Sequence, residues 1–205
     1  MAEFSAKDVQ ALRKEMGTGM MDTKRALQEA GGDPLRAKEI LRETGLASAA
    51  KRSGKAQTEG AVGSYLHYQS DRPVIGVLVE LAAETDFVAK NAEFQKTAND
   101  IAMHIAAERP GWVRTEDVPE SVIEKERELI ATQARNEDKP DHIIEKIVEG
   151  KMQSYYQDNV LYHQTFVKSA DFEGTVGELV QALAISMGEN ISVAQFSRIQ
   201  VGEGS

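Results

Sequence analysis

The sequence predicts an α+β protein in which a small three-helix bundle precedes a core domain with a small antiparallel sheet, packed helices and a helical hairpin. Three observations lead there. The first 45 residues carry three capped amphipathic segments, and beyond Gly60 the apolar period changes to that of strands. Two charged helical segments between Pro119 and Tyr156 then each begin at a proline.

Ser5 precedes an apolar series at Val9, Leu12 and Met16, with Asp8 three residues after it, the pattern of a capped amphipathic helix. Gly17 and Gly19 end that helix. A second is predicted from about Met20 to Ala30, stopped by Gly31 and Gly32, because glycine readily takes the left-handed conformation of a helix terminus. Asp33 and Pro34 restart the chain as N-cap and first-turn proline. The third helix sets Leu35, Ala37, Ile40 and Leu41 largely on one side and ends near Gly45. Residues 47–59 hold Lys51, Arg52 and Lys55 among small residues, with no large apolar side chain. They read as a basic linker with a partly helical start, dividing a bundle over 1–46 from a core over 60–205.

In the core, Val62, Tyr65 and Tyr68 and the run from Val74 to Leu81 flank the turn formers Ser70, Asp71, Arg72 and Pro73, which predicts a β-hairpin. A helix from about Phe87 to Glu108 carries Phe94, Ile101 and Ile105 and stops before Pro110. The charged helices near 119–135 and 140–156 form a candidate projecting hairpin at about 119–156. An extended piece with Leu161, Phe166 and Val167, a helix from Thr175 to Met187 and a strand from Ile191 to Val201 complete the chain.

Composition excludes several classes of function. Cysteine is absent, which removes disulfides, zinc-thiolate sites and a thiol nucleophile. A net charge of -9 disfavours a nucleic-acid backbone as main partner. The charge is uneven: residues 1–58 hold 11 Lys and Arg against 8 Asp and Glu, and the remainder is strongly acidic. Two surfaces with different tasks are expected. No stretch is long and apolar enough to span a membrane, and Met1 to Gln10 is charged where a secretory leader would be greasy, so a soluble, cytoplasmic protein is expected.

No catalytic constellation emerges. His67, His104, His142 and His163 lie far apart without the spacing of a helical metal pair, and neither a phosphate-binding loop nor a nucleophile elbow occurs. Gly17-Thr18-Gly19 lacks a preceding strand and a third glycine. The residues therefore point away from an enzyme, and no metal or cofactor is expected.

Two segments carry the functional signal. In Thr18-Gly19-Met20-Met21-Asp22-Thr23-Lys24-Arg25-Ala26-Leu27, adjacent methionines point about 100° apart on a helix, so at least one is exposed. Core filler plus a tolerated surface Met fits, and so does a soft contact surface. The second segment is Glu84-Thr85-Asp86-Phe87-Val88-Ala89-Lys90-Asn91, where Thr85 or Asp86 is a reasonable N-cap. Taken alone, these residues favour Phe87 tucked inward as a staple over Phe87 projecting as a wedge.

Together these segments resemble the two signature segments of the bacterial elongation factor Ts family, in order and at family-like separation. The resemblance continues through Ile101 to Ala107, Glu145 to Met152, Gln164 to Val167 and the C-terminal strand, and so covers effectively the whole chain. It implies a guanine nucleotide exchange factor that binds elongation factor Tu with GDP and promotes GDP release. On that resemblance the bundle is ubiquitin-associated-like, with Leu12, Met20, Met21, Lys24 and Arg52 on its contact side. Thr85, Asp86, Phe87 and Val88 match the segment that intrudes near the partner's magnesium ion and wedges into its switch region. Ile75, Gly76 and His104 match positions that touch the partner elsewhere.

The sequence departs from the family pattern twice. Ala83 stands where the family often has a cysteine. The length leaves room for about one core subdomain where longer members have two, so the chain is similar to the short members, in which two chains pair. The implied homodimer is noncovalent, giving a 2:2 complex. An adaptor with a bundle for a ubiquitin-like or helical partner explains the architecture but not the ETDFVAKN match.

Overall fold

A computed structural model describes residues 4–203, which divide into two compact units. Of the described residues, one unit comprises 4–61, 81–94 and 180–192; the other comprises 62–80, 95–179 and 193–203.

The first unit contains α1 (Ala6–Met16), α2 (Met20–Glu29) and α3 (Pro34–Arg52). Ser5 caps α1 through a reciprocal box: its hydroxyl accepts from the Asp8 N–H, and its own N–H donates to the Asp8 carboxylate at 2.7 Å. That bond holds the Asp8 carboxyl below the usual carboxylate range. Gly17 closes α1 at φ 62°, and Asp33 Oδ1 accepts from the Leu35 N–H at the start of α3. The three helices bury Val9, Leu12, Ala26, Leu27, Ala37, Ile40 and Leu41 together. Leu35, expected on that stripe, is exposed.

Helix α3 also runs to Arg52 and does not end near Gly45. A Cβ on Gly45 would lie 2.8 Å from Ile185 Cγ2, so the glycine serves close side-chain packing inside a continuous helix, not a terminus. A glycine signals either role equally, and the absence of large apolar residues beyond Leu46 hid the extension.

The sheet consists of β1 (Glu59–Gln69), β2 (Arg72–Ala83) and β3 (Ser192–Gln200), in the order β1-β2-β3. Ser70 and Asp71 form the two-residue hairpin loop with φ 48° and 63°, the doubly left-handed geometry that matches strand twist. Antiparallel pairing of β2 with β3 brings Val201 N–H to the Val74 carbonyl and Gln195 to Glu80. On β2, Val77, Val79, Leu81 and Ala83 are buried while Leu78 is exposed, the alternation of a sheet covered on one face.

The expected helix from Phe87 to Glu108 is two helices. A single turn, α4 (Asp86–Ala89), ends at Lys90, and α5 (Ala92–Glu108) starts afresh because Asn91 Oδ1 accepts from the Glu93 and Phe94 N–H groups. In the second unit, α6 (Glu120–Asn136) and α7 (Asp141–Asn159) form the predicted hairpin around Ile130, Ala134, Ile144, Val148 and Met152. Pro119 and Pro140 stand at the N-caps, one position before the first turn. The last helix is α8 (Val176–Met187).

Strand β1 lies directly on α5: a Cβ on Gly63 would sit 2.2 Å from the Ala98 carbonyl oxygen. Backbone cannot yield as a side-chain tip can. Gly63→Ala is therefore expected to cost about 1–3 kcal/mol, the range for overpacking, read from urea unfolding. An unchanged midpoint and slope would contradict this packing.

Candidate functional site

In the first unit, β2 ends at Ala83 and α4 begins at Asp86, leaving Glu84 and Thr85 as a two-residue corner. A helix of one turn does not hold itself together in water, so the corner needs outside anchors. Glu189, just past the end of α8, provides them. Its Oε2 accepts the N–H groups of both Glu84 and Thr85 at 3.1 Å, and its Oε1 accepts the Thr85 hydroxyl at 2.5 Å. Thr85 thus stands at the N-cap but gives its hydroxyl to Glu189, not to the helix.

The return contact comes from Glu84, whose Oε1 accepts the Asn190 N–H at 2.7 Å and whose Oε2 meets Lys55 Nζ at 2.8 Å. The Asn190 amide then donates to the carbonyls of Lys55 and Ser53, just past the end of α3. The hydrogen bond from Lys55, followed by that from Asn190, holds the Glu84 carboxyl below the usual range.

Phe87 is 83% exposed. The inward staple favoured by local residue chemistry is therefore not what forms. Val88 and Ala89 take the buried side of the single turn, and Phe87, one residue earlier and about 100° away, is left facing out. Asp86 pairs with Lys90 one turn on, at 2.5 Å, which lowers the Asp86 carboxyl and raises the Lys90 ammonium. Thr85 and Asp86 are half-buried, so of the four residues the outward apolar surface belongs to Phe87.

On the bundle, Met20 is 43% and Met21 69% exposed, Lys24 is exposed and Arg52 half-buried. Leu12 is corrected: at 4% exposure it sits three residues after Val9 on the inner stripe of α1 and belongs to the bundle core, not to a contact surface.

In the second unit Ile75 lines a cavity of about 480 Å³ with Tyr65, His67, Met103, Ala107 and Val167. Gly76 faces the other side of the sheet, where a Cβ would touch Leu66 at 3.3 Å. His104 is also corrected: it is fully buried and cannot meet a partner directly. Its Nε2–H donates to Gln164 Oε1 at 3.0 Å, its Nδ1 accepts the Val167 N–H, and its ring stacks on Phe166. Gln164 is itself fixed by donating to the carbonyls of Asp158 and Glu108. Burial lowers the His104 pKa against the opposing pull of that bond and of Glu108, and this bonding pattern suits the neutral ring.

Among the described residues no cluster of metal-ligating side chains occurs, and no helix is long and apolar enough to cross a membrane. A family model described as Elongation factor TS matches residues 37–203, which include the corner and the cavity. Curated proteins named Elongation factor Ts match nearly the whole chain. That from Carboxydothermus hydrogenoformans is 50% identical over 201 residues, 98% of this chain and 90% of its own length. Those from Thermosipho melanesiensis and Fervidobacterium nodosum are 48% and 49% identical, each over 98% of this chain and 100% of their own length. The chain belongs to the elongation factor Ts family. Helices α1 and α2 precede the span matched by the elongation factor Ts model, but the full-length relatives extend over them.

Glu189 and Asn190 belong to no motif that marks them in the sequence, and Lys55 reads there only as part of a basic linker. Gly188 marks the end of a helix, but nothing in a chain read linearly says that the two polar residues after it face a corner about a hundred positions earlier.

Burial of the neutral His104 ring makes the stability of this elongation factor Ts family member depend on pH. A histidine whose folded pKa is depressed contributes its full stability above the ordinary imidazole value, about 6.5, and loses it as pH falls below. The chain is expected to lose stability from pH 7 to 5 more steeply than His104→Gln, which can reproduce both bonds without titrating. Parallel losses in urea unfolding would contradict the buried neutral ring.

Proposed function

We propose that this chain is the guanine nucleotide exchange factor of elongation factor Tu, acting by inserting Phe87 into the open form of the partner's switch region and magnesium site. The observation that carries the proposal is a large aromatic side chain left in water on a corner held by five hydrogen bonds between two chain segments and a lysine. A core residue would not be exposed, and a tolerated surface residue would not need such a mount.

An exchange factor needs only to bind the open, nucleotide-free state of its partner better than the closed one. By linkage, whatever factor it takes from GDP affinity it loses from its own affinity when nucleotide returns, so no covalent chemistry is required. Burying Phe87 in a gap present only in the open state contributes about 1.5–3 kcal/mol, or roughly ten- to a hundredfold in nucleotide affinity. Thr85, Asp86 and Val88 shape the corner. In this reading the chain consists of a ubiquitin-associated-like bundle over 1–46, a basic linker over 47–59 and a core over 60–205. Met20, Met21, Lys24 and Arg52 dock the bundle, and the cavity at Ile75 receives a second part of the partner, with His104 as its buried support.

The exposed face of the sheet supports a second element, a noncovalent homodimer in the cytoplasm. Val62, Leu66, Tyr68, Leu78 and Ile199 leave one face of the sheet apolar and uncovered, and a self-complementary face closes on a second copy. Sedimentation of the free chain is expected to give a dimer and of Leu78→Glu a monomer; a wild-type monomer at micromolar concentration would contradict the pairing.

The exchange reading is tested by Phe87→Ala with elongation factor Tu carrying a fluorescent GDP analogue. The saturating release rate is expected to fall about ten- to a hundredfold, with the half-saturating concentration little changed because the docking surfaces remain. Release as fast as with the parent chain would remove the wedge.

A further inference from the structure

Phe87 has little packing of its own, so the direction it takes is set by the backbone beneath it. That backbone is the extended Thr85, at φ -129° and ψ 156°, leading into a four-residue turn that cannot hold itself. One carboxylate fixes it. Glu189 takes the N–H groups of two successive residues and the hydroxyl of the second, so the peptide plane between Glu84 and Thr85 and the Thr85 side chain are held at once. The carboxylate is itself well mounted. Gly188 ends α8 in the left-handed conformation at φ 71°, its N–H bonded to the Ala184 carbonyl at 3.0 Å, so Glu189 leaves a finished helix in a defined direction.

Two features set this contact apart from ordinary stability. Among the described residues Glu189 makes no salt bridge; its charge is met by the donors of the corner. The Thr85 hydroxyl is also diverted from its local use as a helix cap, so the contact weakens α4 in order to aim it. We propose that Glu189 is the positioning residue of the exchange wedge, setting the presented direction of Phe87 before the partner arrives. The inference rests on the exchange reading and adds to it a residue about a hundred positions from the wedge. A wedge aimed in advance loses less conformational freedom on insertion, and the gain falls on the step in which the partner opens.

Glu189→Ala and Glu189→Gln are compared with the parent chain in the GDP-release assay, titrated to saturation, with unfolding followed in parallel. A merely structural role lowers the folded fraction, which raises the apparent half-saturating concentration and leaves the plateau unchanged. A positioning role lowers the plateau at unchanged half-saturation. The expected result is a plateau about tenfold lower for Glu189→Ala, where a freed corner samples other directions, and an intermediate value for Glu189→Gln, which keeps one acceptor oxygen. Plateaus equal to the parent's in both variants would overturn the inference while leaving the exchange reading intact. A parent chain that does not accelerate release would overturn the exchange reading, and the inference with it.

Discussion

A pair of carboxylates, each bonded to the backbone of the other's segment, fixes the corner on which the functional reading depends. Glu189 holds the N–H groups of Glu84 and Thr85, and Glu84 holds the N–H of Asn190. Lys55 neutralises one of the two charges, and the Asn190 amide ties the pair to the chain just after α3. Backbone donors bonded to an ionised acceptor are stronger than neutral pairs and leave little angular freedom. An exposed aromatic ring on a flexible loop collapses onto the nearest apolar surface; on a corner held in this way it stays in water.

The fold spreads its surfaces over two compact units. The first carries the corner and the methionine face of α2, and the second carries the cavity beside Ile75 and the uncovered face of the sheet. Each has a buried floor made by local packing: the apolar bundle core under α2, and the hydrogen-bonded His104 and Gln164 with Phe166 behind Val167 of the cavity wall. A polar, fully bonded histidine in such a place fixes the position of Val167 through its N–H more narrowly than an apolar filler would.

Much of this was legible in the sequence. The caps at Ser5 and Asp33, the turn at Ser70 and Asp71 and the paired helices of the 119–156 region follow from local chemistry that tertiary packing did not override. The failures share one cause. Gly45, Leu12, His104 and Phe87 each have two uses that look the same in a linear chain, and only the neighbour decides: Ile185 beside Gly45, the Val9 stripe around Leu12, Gln164 against His104 and Glu189 behind Phe87. Phe87 stands exposed where local propensity preferred burial. The resemblance to a family placed Leu12 and His104 on contact surfaces, and the packing moves both inside.

In the proposed exchange, the side chain at position 87 stands in water in the free chain and is buried only in the open partner. Phe87→Trp in a Trp112→Phe background makes it directly visible through indole emission. The free chain is expected to show the red-shifted emission of an exposed indole, with a blue shift on adding nucleotide-free elongation factor Tu that excess GDP reverses. Blue-shifted emission already present in the free chain, or no change with the nucleotide-free partner, would contradict the wedge.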